Sequence, residues 1–420
     1  GIYRGWWIVA TGYIAQMGTV GATGWVFGVL ILPMQDDLGW SRSVLVGVVT
    51  LARLLSGVFA MRLGPAVDRH GARLLMTVSA VAAFAACVGT GLSQNVWQYY
   101  LCWVLFGLAI PGMGTLGPAV AISNWFIRRR AQALMYFTLG SAGAGLVLAP
   151  LMSRIAQDIS WRVSWVGMGL IFITVAPLAW TFVRHRPEDV GLKPDGGDTE
   201  REVSVQGNEA APEESWTARE ALHSRSFWLV AVGFMLTSFP GSSIFIHMSS
   251  FVQSKGFSLS EGALAVSFYG AGTLAGRFTW GFLIPRLGVY RSLVLYGFGY
   301  GLSILLFVAP HSLPPIYATT ILLGIAISGA QQMNVQAYAD YFGRESLGQL
   351  LGYANFMASI TGAAAPLVAA AAYDTTQSYS LVFSVWGVFA LIAGACFLFS
   401  KPSRRMATVA TPGLTNPNPM

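Results

Sequence analysis

Long apolar runs follow one another along this chain, separated by short polar segments that hold nearly all of its charge. A helix rising about 1.5 Å per residue needs about 20 apolar residues to cross a bilayer core. Twelve runs qualify, near 5–33, 42–66, 73–93, 97–121, 131–156, 162–184, 226–254, 261–285, 290–311, 313–338, 348–372 and 378–400. Alternating apolar and polar segments of about ten residues, the mark of a membrane strand, are missing, which excludes a β-barrel. The pattern predicts an all-α membrane protein with twelve transmembrane helices.

One long polar segment breaks the series. Residues His185 to His223 hold ten of the eighteen acidic residues and read as a linker, with a short surface helix expected around Thr217 to His223. The chain thus divides into a six-helix bundle over 1–184, a linker over 185–223, a second six-helix bundle over 224–400 and a tail over 401–420 expected to be disordered. The bundles repeat each other. GPAVDRHGAR, from Gly64 to Arg73, returns in degenerate form as GFLIPRLGVYR, from Gly281 to Arg291. Gly64 and Gly281, Arg69 and Arg286, and Gly71 and Gly288 each lie 217 positions apart, while Phe126 and Phe342, and Pro150 and Pro366, lie 216 apart. A parallel repeat of this kind implies a carrier whose substrate site lies between the halves.

Charge sets the orientation. With both termini cytoplasmic, 19 Lys and Arg residues fall on the inner side, 4 on the outer side and two within the membrane, so a multi-pass protein of the plasma (inner) membrane is expected. Only 10% of residues are charged and 54% are hydrophobic, against about 25% charged in soluble domains. The formal charge of +7 comes from short clusters between apolar runs, a pattern of membrane orientation rather than of nucleic-acid binding. Glycine runs at Gly112 to Pro118, Gly140 to Gly145 and Gly272 to Gly276 precede no Gly-Lys-Ser/Thr, so no nucleotide is expected; they read as sliding helix contacts. Cys87, Cys102 and Cys396 lie within apolar runs without metal-ligand spacing, and no nucleophile–base–acid set is visible, so no metal, cofactor or enzymatic activity is expected. The first apolar run is too long for a cleavable signal peptide.

The exceptions inside the helices carry the candidate chemistry. Arg277 lies in the eighth helix with no carboxylate at bilayer depth to pair with, and a buried arginine there offers a planar bidentate fork to a substrate's carboxylate. Arg53, mid-way along the second helix, is either a second anion contact or a donor to neighbouring carbonyls. His247, with Ser243 and Ser250, forms a polar stripe able to bind a carboxylate or carry a coupled proton; a packing histidine is the alternative. Gln331, Asn334 and Tyr338 share one face of the tenth helix, and Asn355 and Ser359 a face of the eleventh. Trp25, Tyr136 and Leu139 are candidate apolar walls on the N-terminal half.

With Gly64, Asp68, Arg69, Gly71 and Arg73 filling G-x-x-x-D-R-x-G-x-R between helices two and three, the chain resembles the major facilitator superfamily. Within it, Gly5-Trp6, Leu38 to Arg42 and the segment from Trp125 to Gly145 resemble the monocarboxylate transporters and bacterial oxalate–formate exchangers. The resemblance implies a two-bundle major facilitator fold and a gating role for the motif. Its Asp meets a helix N-terminus or an arginine in one carrier state and releases it in the other. It also implies a substrate-binding arginine at Arg277. Gly24 and Thr273 stand where animal members carry a Lys–Asp pair, so no such proton relay is implied. Together these readings predict a monomeric carrier that moves a small monocarboxylate such as lactate or pyruvate with a proton, Arg277 or His247 coupling the proton. The alternative is an oxalate–formate type exchanger.

Overall fold

The structure, a computed structural model, describes residues 3–196, 216–376 and 378–401. Among these residues the regular elements are helices and no strand occurs. The first half comprises α1 (Arg4–Leu38), α2 (Arg42–His70), α3 (Ala72–Leu92), α4 (Val96–Trp125), α5 (Arg130–Asp158) and α6 (Trp161–Phe182). The second comprises α7 (Arg225–Ser254), α8 (Leu259–Leu287), α9 (Val289–Val308), α10 (Leu313–Phe342), α11 (Leu347–Thr376) and α12 (Ser380–Phe399). Eleven of them are long and apolar enough to cross a membrane by length and composition, and α8, at 29 residues, completes the twelve. Between the halves, a short helix at Ala218–His223 begins with a capping box in which Thr217 and Glu220 satisfy each other's backbone N–H groups. The expected tail lies outside the described residues beyond Lys401, as does the linker between 196 and 216.

Several helices outrun their apolar pattern. α2 continues through Pro65 to His70 and stops where Gly71 takes φ +78°. Gly288, the repeat partner of Gly71, takes φ +77° at the end of α8, so both junctions use a backbone region that favours glycine. α1 runs through Pro33 and ends at Gly39, φ +68°. α1 and α5 each contain one π-helical turn, at Gly21–Trp25 and Ala144–Leu148, and the two turns pack together.

The repeat reappears in the packing. α3 lies against α6 and α9 against α12, and these pairs carry outward apolar stripes: Leu74, Val78 and Val81 on α3, Leu295, Phe298 and Leu302 on α9. Such stripes at 3–4 spacing suit a lipid-facing surface.

The halves meet most closely at the basic face, the side that carries the repeated motif. α2 and α11 form a seam of glycines: a β-carbon on Gly64 would lie 2.4 Å from the Gly348 carbonyl oxygen, and one on Gly352 2.5 Å from that of Ala60. The Asp68 carboxylate accepts the N–H groups of Gly348 (2.7 Å) and Gln349 (2.8 Å), capping the start of α11. Alongside, buried Arg130 pairs with Asp340 at 2.6 Å, and Arg344 donates to the Asn124 carbonyl. Part of the linker is fastened here too. Asp195 accepts backbone N–H groups of Ile127, Arg128 and Arg129, while the Tyr3 hydroxyl donates to the Lys193 carbonyl. Burial, and then the nearby Asp195 charge, push the Tyr3 phenol up to about 12.

Candidate substrate site

A cavity of about 400 Å³ lies between the halves, directly above the α2–α11 seam. From the first half it takes Arg53 of α2 and Thr115 of α4; from the second, faces of α7, α10 and α11. Gln331 and Asn334 of α10 and Asn355 of α11 all line it, so two predicted polar faces converge. A smaller recess of about 220 Å³ continues from it, shared through Arg53, Thr115, Asn355, Ala358 and Gly362. Pro366 has no N–H to give the Gly362 carbonyl four residues before it, which leaves that acceptor free where α11 borders the cavity.

Arg277 stands outside this lining, on the α5–α8 contact between the halves. Its Nη2 donates to the Ser141 hydroxyl of α5, and its Nη1 is buried without a hydrogen-bond partner. Among the described residues no carboxylate caps it. The two regions are joined through Gln331, which lines the cavity and receives a 3.3 Å hydrogen bond from Gln16 of α1. Gln16 in turn lies against Gly140, the residue before Ser141.

Four predicted site residues sit elsewhere. The Nε2–H of His247 donates to the Pro366 carbonyl at 3.1 Å and its ring lies 5.2 Å from Tyr379, while Ser243 accepts from Trp386. The predicted stripe therefore faces α11 and α12 within its own half, away from the cavity. Tyr338 is 0% exposed and packs on Phe227 and Phe342, a core position. Tyr136 is 46% exposed beside Trp6, off the cavity. Trp25 meets Phe245 edge-on at 5.5 Å, bridging α1 and α7 away from the lining.

The α7 face that does line the cavity carries Phe234, Thr237, Ser238, Gly241 and Ser242. Its hydroxyls donate back to carbonyls of their own helix, leaving oxygen lone pairs toward the space. The 3–4 spacing of these small polar residues marks this face in the sequence, and His247 and Ser243 lie on a different side of the same helix. The repeated motif holds the seam through Asp68. Arg73 lies over the Trp180 ring at 3.9 Å, and Gly71 closes on His185.

A sequence profile described as Major Facilitator Superfamily matches residues 13–267 and 256–417. The chain is 24% identical to Monocarboxylate transporter 12 of Rattus norvegicus, over 98% of this chain and 88% of that protein. It is 22% identical to the Hexuronate transporter of Bacillus subtilis, over 88% of each. Among solved structures, the human organic anion transporter MFSD10 superposes with a TM-score of 0.70 at 14% identity, over 94% of this chain and 99% of that one. The proton:xylose symporter XylE gives 0.73 at 13% identity, over 94% and 95%. At these identities the structures speak for the fold.

Proposed function

The chain belongs to the major facilitator superfamily of membrane transporters, and we propose that it carries a small monocarboxylate, of the lactate or pyruvate kind, together with a proton by alternating access. The observation that supports this is Arg277. Its guanidinium lies between the halves, bonded to a neutral hydroxyl, with a second buried nitrogen left without a partner. An unneutralised arginine at bilayer depth costs about 2.5–3.5 kcal/mol on insertion scales. A carboxylate binding there removes that cost, so loading favours closure of a dry gate around the site. In this reading the basic face is cytosolic and the seam of α2 and α11 is its closed gate. The proton travels either on the substrate's own carboxyl beside Arg277 or on Nδ1 of His247, whose Nε2–H donates to Pro366. The likeness to Monocarboxylate transporter 12 supports the substrate class.

A second reading, an exchanger of oxalate and formate, draws on the second cation, Arg53, in the cavity. The two separate in proteoliposomes: with a pH gradient and no internal substrate, a symporter accumulates labelled acid and an obligate exchanger does not. Arg277→Gln is expected to lower saturable uptake at least a hundredfold while the protein remains monodisperse. Wild-type uptake in that variant would remove the assignment.

A further inference from the structure

Arg53 is the cation of the open cavity. Its side chain is exposed to that space, lines both the cavity and the recess, and makes no hydrogen bond or ion pair among the described residues. Among the described residues no Asp or Glu lines either volume. Around it stand the Thr115 hydroxyl and the amides of Asn334 and Asn355. A guanidinium with five donors, left without an acid in a mid-membrane cavity, calls for an anion from outside.

The repeat sets its depth relative to Arg277. Arg53 lies 11 positions before Gly64, whereas Arg277 lies 4 positions before the equivalent Gly281. The difference is two helical turns, about 10 Å along the helix, with Arg53 nearer the face opposite the motif. Below Arg53 the recess runs past Gly57 and Ser359 to Ala60, and it is tight there: a β-carbon on Gly57 would lie 1.9 Å from the Ser359 hydroxyl. Gln331, which lines the cavity with Arg53, is bonded by Gln16, and Gln16 lies against Gly140, next to the Ser141 that holds Arg277.

We propose that Arg53 forms a second anion-binding position, which takes the substrate's carboxylate first and passes it, past Gln16 and Gln331, to Arg277. The proposal rests on the carboxylate-carrier reading above. Arg53 thus sets apparent affinity, and Arg277 the committed, transported state. A single carboxylate is handled twice, so two cations imply a relay for a monoanion rather than a clamp for a dianion.

The test is uptake of labelled formate, acetate, lactate and pyruvate into proteoliposomes by wild type, Arg53→Gln, Arg53→Lys and Arg277→Gln. For the best-carried acid, Arg53→Gln should raise KM about ten- to a hundredfold with Vmax within about twofold, the loss of one charge-assisted contact. Arg53→Lys should recover most of it. Arg277→Gln should abolish Vmax instead. An unchanged KM in Arg53→Gln, or an equal fall of Vmax in both Arg53 variants, would overturn the relay and leave the carrier reading intact. Absence of saturable uptake of all four acids by wild type would overturn the carrier reading and this inference with it.

Discussion

The two seams between the halves descend from one duplicated design and close in different ways. In the α2–α11 seam the motif keeps its acid: Asp68 caps α11, and Gly64 and Gly352 let backbone meet backbone. In the α5–α8 seam Pro285 occupies the place of that acid, and side chains make the contact: Met135 lies over Gly281, and Ser141 holds Arg277. A backbone seam has two settings, closed or parted, because nothing in it can bend aside. A side-chain seam yields, and that is the one that holds the candidate substrate cation. On the proposed reading, gating falls to the first seam and substrate response to the second.

The sharpest way to break this comparison is to add one methyl to each seam. Gly64→Ala would place a carbon 2.4 Å from a backbone oxygen and 2.7 Å from the Gln349 Cα, neighbours that cannot move alone. It should disfavour the closed seam by about 1–3 kcal/mol, roughly five- to a hundred-and-sixtyfold in population, and cut uptake accordingly. Gly281→Ala meets the Met135 side chain, at 2.2 Å from its sulfur, 2.9 Å from Cγ and 3.0 Å from Cβ, with no backbone atom among these nearest neighbours, and should stay within about threefold of wild type. Equal losses in both variants would erase the distinction. A smaller effect is expected from Asp68→Ala, which removes one helix cap worth about 1–2 kcal/mol. Spin labels at the exposed positions Arg62 and Glu345 would read it as a rise of about tenfold in the long-distance population. No change in the distance distribution would mean that the cap does not hold the gate.

Much of the fold was legible in the sequence because a bilayer imposes a length on every apolar run and the duplication fixes its partner. Helix ends were less so. α2 runs through Pro65 because the lost backbone bond is tolerable near a helix end, and only Gly71 stops it. The π turns of α1 and α5 have no composition signal of their own. At the site, Arg277, Asn334, Gln331 and Asn355 were readable as polar groups on apolar helices. Which way each faces was not: His247 and Tyr338 share that polarity but turn into their own half, where Pro366, Tyr379, Phe227 and Phe342 receive them. Arg53 could be read either way, since a mid-helix arginine serves carbonyls or cavities equally well until the neighbouring helices are placed.

The central claim is that a substrate carboxylate neutralises Arg277, and binding tests it without any transport assay. Calorimetric titration of the detergent-solubilised protein with lactate and with lactamide, its neutral isostere, compares an anion and an amide of one shape. Arg53→Gln, which leaves Arg277 as the one site cation, should still favour lactate about tenfold, and adding Arg277→Gln should remove that preference. An anion preference that survives in the double variant would contradict the account.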